Sequence, residues 1–187
     1  MEKKDLKPAG VFKYFEEICQ VPRPSKKEEK IIAYLKAFGA KHNLETKVDE
    51  AGNVLIKKPA TPGKENLQTV VLQSHIDMVC EKNNDVQHDF LTDPIETEID
   101  GEWLKAKGTT LGADNGIGVA TELAILADDS IEHGPLECLF TVDEETGLTG
   151  AFELKEGFMS GDILLNLDSE DEGEIFIGCA GGIDSVA

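Results

Sequence analysis

The chain has 187 residues, of which 40% are hydrophobic, 29% charged and 6% aromatic, and 37 acids against 18 bases give a net charge of -19. Enough aliphatic residues are present to bury a core, so wholesale disorder is excluded, and the acidity argues against nucleic acid, whose phosphates require clustered Lys and Arg. Residues 1–80 hold 14 bases and 11 acids and residues 81–187 hold 4 bases and 26 acids, so whatever favours carboxylates lies in the later part. Met1-Glu2-Lys3-Lys4-Asp5 opens the chain, and no apolar run approaches the roughly 18 residues of a membrane span. A cytoplasmic protein is expected, with Cys19, Cys80, Cys138 and Cys179 reduced, because no Cys-x-x-Cys pair suggests zinc or a disulfide framework.

In chain order, Val11, Phe12, Phe15, Ile18 and Cys19 fall at helical spacing from Ala9 to Gln20, and Pro22 and Pro24 stop that pattern. Ser25 followed by Glu28 predicts a capping box for a second helix, whose buried stripe is Ile31, Ile32, Leu35 and Phe38. Leu44, Thr46 and Val48, a turn at Ala51-Gly52-Asn53 and the return from Val54 to Lys58 predict a hairpin. Thr69 to Gln73 is a buried-type strand running into Ser74-His75-Ile76-Asp77, and a second hairpin is expected around Asp100-Gly101, from Ile95 to Ile99 and from Trp103 to Ala106. Gly112-Ala113-Asp114-Asn115-Gly116 reads as a loop before a helix carrying Ile117, Ala120, Leu123, Ala124 and Ala127. Leu136, Cys138, Phe140 and Val142 alternate as a strand that ends in Asp143-Glu144-Glu145, and Ile163 to Leu167 is another that ends in Asp168. Strands separated by helices predict an α/β fold with an at least partly parallel sheet.

Ligands of open α/β sheets bind beyond the carboxyl ends of the strands. Three predicted strands deliver metal-type ligands there: His75 and Asp77, Glu144 and Glu145, and Asp168, with Asp114 in a Gly-rich loop at a helix start. One imidazole among several carboxylates suits Zn²⁺, Mn²⁺ or Co²⁺ better than Ca²⁺ or Mg²⁺. Singly, each residue reads as an ordinary strand terminus or solvated turn. Together, adjacent strand-end acids repel one another unless a cation or a proton lies between them.

In four ordered blocks the sequence resembles the M20 family of metallopeptidases: Ser74-His75-Ile76-Asp77, Gly112-Ala113-Asp114-Asn115-Gly116, Asp143-Glu144-Glu145-Thr146-Gly147 and Asn166-Leu167-Asp168-Ser169-Glu170. Leu111 to Gly118 and Ile177 to Gly182 resemble its dipeptidases in particular. The resemblance implies a three-layer, zinc-exopeptidase-like mixed sheet flanked by helices. It implies two divalent ions, zinc first with manganese or cobalt as alternatives, in which Asp114 bridges, His75 and Asp168 hold one ion and Glu145 holds the other. Glu144 is then the general base for a metal-activated water, Asp77 holds the imidazole of His75, and the Asp114–Asn115 peptide is cis. The implied substrates are Xaa-His and other dipeptides; another hydrolase of the family, a tripeptidase or N-acyl amino acid deacylase, shares the same residues.

The second ion of the family also takes a late histidine, and none follows His133; His42, His88 and His133 fall outside the blocks and read as loop or surface residues. The expectation is that residues 1–187 are the N-terminal part of the catalytic domain, that the lid and dimerisation domain and the remainder of the catalytic domain are absent, and that the second metal site is incomplete. Such a chain is expected to bind one ion with little or no peptidase activity, whereas the full-length protein of the resemblance is a homodimer. A calcium loop from Asp168 through Glu170, Glu172 and Gly173 fails at its twelfth position, where Cys179 stands. No Gly-x-Ser-x-Gly or His-Glu-x-x-His occurs, and glycines 112, 116 and 118 fail the dinucleotide spacing.

Overall fold

The computed structural model describes residues 2–169 and 173–178. Glu170, Glu172, Cys179 and residues 180–182 of the dipeptidase-like stretch lie outside the described residues.

Helix α1 (Ala9–Cys19) buries Tyr14, Phe15, Ile18 and Cys19, and α2 (Glu29–Lys41) buries Ile31, Leu35 and Phe38, close to the predicted stripes. The capping box is a correction. Ser25 does not cap α2; its hydroxyl donates to Asp77 Oδ2 at 2.7 Å. The Glu28 carboxylate accepts the N–H of Lys26 at 2.9 Å and, from far along the chain, that of Asp143 at 3.0 Å. Both side chains find buried tertiary partners that outcompete the local ones.

Strands β1 (Glu45–Val48) and β2 (Val54–Lys58) form the first hairpin. Strand β3 (Val70–His75) is followed by the separate hairpin of β4 (Thr97–Asp100) and β5 (Trp103–Ala106), then by helix α3 (Ala113–Ala127), strand β6 (Leu136–Thr141), the short helix α4 (Thr149–Phe152) and strand β7 (Ile163–Asn166). The main sheet runs β1-β2-β6-β3-β7. β2 and β6 pair antiparallel, whereas β3 pairs parallel with both β6 and β7. The chain thus leaves β3 for a neighbour on one side and later returns to its other side, which makes the carboxyl end of β3 the switch point where α/β sheets bind ligands.

Alternate strand residues face opposite sides of the sheet. Leu72, Cys138 and Phe140 join the large core beneath α1, α2 and α3, and Leu55, Val71 and Leu139 point the other way onto Leu154, Phe158 and Met159. All six residues of β6 are therefore buried, not only the alternate ones. One of them, Glu137, is neutralised by Lys57 Nζ at 2.5 Å and caps the N–H groups of Ser160 at 2.7 Å and Gly161 at 3.2 Å. β7 closes one edge, and Ile163, Leu164 and Leu165 stay between 40% and 48% exposed. Among the described residues no helix is long and apolar enough to cross a membrane.

Within α3 the buried stripe is Val119, Glu122, Leu123 and Leu126, so a glutamate occupies a core position. It is fully buried, and no hydrogen-bond partner reaches either carboxylate oxygen in good geometry. Burial lifts its pKa far above the ordinary range, and its contacts with Ser74 and Cys138 offset only part of that rise. Because the native state holds this proton where the unfolded chain, with a pKa of about 4.3, releases it, the protonated group's contribution is complete at low pH and is lost as pH rises toward the folded value. Glu122→Gln is expected to raise stability by about 1–3 kcal/mol at pH 8 and by much less at pH 5. Urea unfolding at both pH values checks this, and an equal gain at both removes the titration argument.

Candidate metal centre

His75 is the last residue of β3 and is 1% exposed. The chain ladder then continues, with the Ile76 N–H donating to the Thr141 carbonyl at 2.9 Å, so Asp77 returns to the same side two residues on. Asp77 is wholly buried and accepts four hydrogen bonds: His75 Nδ1 at 3.2 Å, Ser25 Oγ at 2.7 Å, and the N–H groups of Glu144 at 3.0 Å and Glu145 at 3.2 Å. Burial alone would raise its pKa, but the bonds from His75, Glu144 and Ser25 hold it below the usual carboxylate range. One carboxylate therefore orients the imidazole and also fixes the start of the loop that carries the two glutamates.

With Nδ1 committed, Nε2 of His75 faces three carboxylates: Asp114 Oδ1 at 3.0 Å, Asp168 Oδ1 at 3.8 Å and Glu144 Oε2 at 3.9 Å. Asp114 lies in the first turn of α3, where it and Asn115 depart from helical dihedrals, and the Asp114–Asn115 peptide is cis. Asp168 follows β7, where its N–H is held by the Asn166 side chain at 2.9 Å. Asp143, 3% exposed with φ 49°, shapes the turn after β6 by accepting the hydroxyls of Thr146 and Thr149.

Ligand atoms of His75, Asp114 and Asp168 all lie within 4.8 Å of one another. This donor set, one imidazole nitrogen and two carboxylates with the imidazole fixed from behind, fits a borderline divalent cation. The electrostatics agree. Burial would lower the His75 pKa, yet the hydrogen bond and charge of Asp77, then Asp168 and Asp114, carry it to about 9, as converging carboxylates favour positive charge at the imidazole. Glu144 is raised, first by burial and then by Asp168, Glu145 and Asp77, against the lowering effect of His75. Glu145 is raised by burial and by Asp114, whose charge it feels, but it does not belong to the three-residue group. The structure therefore brings His75, Asp114 and Asp168 together with Glu144 beside them and Asp77 behind, and sets Glu145 near Asp114. A second acidic group, Glu28, Asp77 and Asp143, is fully buried, but hydrogen bonds from the protein occupy its carboxylates.

Residues 71–180 match the family described as Peptidase family M20/M25/M40, and that stretch contains the four ordered blocks from Ser74 to Glu170. The chain belongs to peptidase family M20. It is 54% identical over 183 residues to the cytosol non-specific dipeptidase of Escherichia coli, covering 98% of this chain and 38% of that protein. Its fold superposes on the aminoacylhistidine dipeptidase of Vibrio alginolyticus with a TM-score of 0.93 at 56% identity, over 96% of this chain and 36% of that one. The aminopeptidase PepT of Bacillus cereus follows at a TM-score of 0.73 and 26% identity, over 87% of this chain and 43% of that one. The M20 chain described here thus spans little more than a third of the length of its dipeptidase relatives.

Two residues of the site were not marked as such by the sequence, Arg23 because it falls in no motif and Ser25 because it has the spacing of a helix cap. Both lie in the linker between α1 and α2 and reach the His75–Asp77 segment through hydrogen bonds. The available signal was the run Pro22-Arg23-Pro24-Ser25, too rigid and too polar for a simple connection between two amphipathic helices.

Proposed function

We propose that residues 1–187 are the N-terminal part of the catalytic domain of a dipeptidase, and that His75, Asp114 and Asp168 hold a divalent ion, zinc first and manganese or cobalt next. Glu145, which lies near enough to Asp114 to feel its charge, would help to hold a second such ion. The observation that carries this reading is the convergence of the three ligand atoms within 4.8 Å at the carboxyl end of β3. Bound divalent ions lower the pKa of water and polarise a carbonyl oxygen. Glu144 Oε2 would take the proton of the attacking water and return it to the departing amine; burial and the neighbouring carboxylates raise its pKa, the direction that favours a group carrying a proton between two partners. Asp77 keeps His75 in one orientation throughout.

Dipeptides, Xaa-His among them, are the proposed substrates, supported by high identity to two proteins bearing dipeptidase names. A chimera in which this chain replaces the aligned part of the E. coli dipeptidase tests the reading. Hydrolysis of Xaa-His and other dipeptides in the presence of Zn²⁺ or Mn²⁺ is expected, well above that of tripeptides and N-acyl amino acids. A preference for acylated amino acids sinks the dipeptidase assignment.

A further inference from the structure

Arg23 is 3% exposed, and its guanidinium bonds to main-chain carbonyls. Nη1 donates to Ile76 at 3.2 Å and Asp77 at 3.0 Å, and Nη2 donates to Gly112 at 2.5 Å. Its own carbonyl accepts the Met78 N–H at 3.2 Å, and Pro24 bridges to Met78 in parallel. The main chain at residues 23 and 24 is thus fastened to the segment that follows β3, while the side chain reaches across to the loop that carries Asp114. A planar, multiply donating fork is suited to such a span.

The glycines of that loop provide an independent sign. A Cβ at Gly112 would lie 2.5 Å from Nη2 and one at Gly116 2.7 Å from it. Two glycines of Gly112-Ala113-Asp114-Asn115-Gly116 therefore leave the volume that the guanidinium fills.

We infer that Arg23 is a positioning residue of the metal centre, its guanidinium clamping the Asp114 loop to the His75–Asp77 segment and so setting the distance between the two ligands. The inference rests on the metal-centre reading above. Lysine keeps the charge but presents its three donors from a single nitrogen, without the rigid planar fork that spans the two segments.

The test titrates Zn²⁺ and Co²⁺ into the full chain and into Arg23→Lys and Arg23→Ala, following Zn²⁺ affinity and the Co²⁺ visible spectrum, with urea unfolding of the metal-free forms as a control for folding. Arg23→Lys is expected to stay folded, to lose roughly 10- to 100-fold in affinity and to shift the Co²⁺ bands. Added guanidinium ion is expected to restore part of the loss in Arg23→Ala. Gly116→Ala, whose methyl would fall 2.7 Å from Nη2 and so displace it without removing charge, is expected to shift the bands in the same way, and it carries the test where an Arg23 variant does not fold. Folded variants with wild-type affinity and spectrum overturn the positioning role and leave the metal centre standing. Failure of the unaltered chain to bind either ion overturns both.

Discussion

Glu144→Gln is expected to reduce dipeptide turnover by the chimera described above by about 10²- to 10⁴-fold, the usual contribution of a positioned general base, with metal content unchanged. The reason lies in placement. The N–H of Glu144 is held by Asp77, its carboxyl stands 3.9 Å from His75 Nε2, and its side chain is 32% exposed toward the open end of the sheet. It is close enough to reach a water beside the ligands, yet it lies outside the three-residue group that fits the cation. Glutamine keeps the shape and the loop anchor and loses only the ability to take a proton. The check is steady-state kinetics beside metal analysis of the same preparation. Turnover within a few-fold of the parent assigns the base elsewhere; loss of metal along with turnover makes Glu144 a ligand.

His75→Ala is expected to lose Zn²⁺ affinity by on the order of 100-fold or more, since outer groups that only orient a ligand are already worth 10- to 100-fold. Among the three converging groups the imidazole is the one neutral donor, and Asp114 and Asp168, 62% and 29% exposed in their side chains, are left without it. Zn²⁺ is expected to raise the melting temperature of the unaltered chain roughly in proportion to the logarithm of its concentration, and to produce almost no such shift in the variant. Asp168→Ala approaches the same site from a more exposed position and is expected to act in the same direction. Unchanged metal content in folded His75→Ala removes His75 from the ligand set.

Much of this architecture was legible in the sequence because the relevant signals are local. The helical spacing from Val11 to Cys19, the turn at Gly52-Asn53 and the apolar run into His75 each fix an element from its own residues, and the elements appear as α1, the β1–β2 hairpin and β3. The nearness of His75 and Asp168 was legible too, because strand-end position in an α/β chain foretells spatial neighbourhood, whereas Asp114 joined them through its Gly-rich loop at a helix start and through the family resemblance. What escaped was set by distant partners. Ser25 and Glu28 have capping-box spacing, but the energy lies in bonds to Asp77 and Asp143, and nothing within four residues reveals them. Arg23 acts through carbonyls, which every residue possesses, so no side-chain motif marks its targets. Glu122 was discoverable: it stands at a core position of the α3 stripe, and its polar identity concealed it from a search for apolar periodicity.

The parallel placement of β7 beside β3 also governs when the centre can exist during folding. His75 and Asp114 are 39 residues apart, and Asp168 arrives only when β7, the latest of the sheet's strands along the chain, has docked against Val70–Gln73. The three residues of the proposed ligand set lie on separate segments, so closing these loops would precede any stabilisation by an ion held there. An ion held by His75, Asp114 and Asp168 would by its uptake report that β7 has paired with β3.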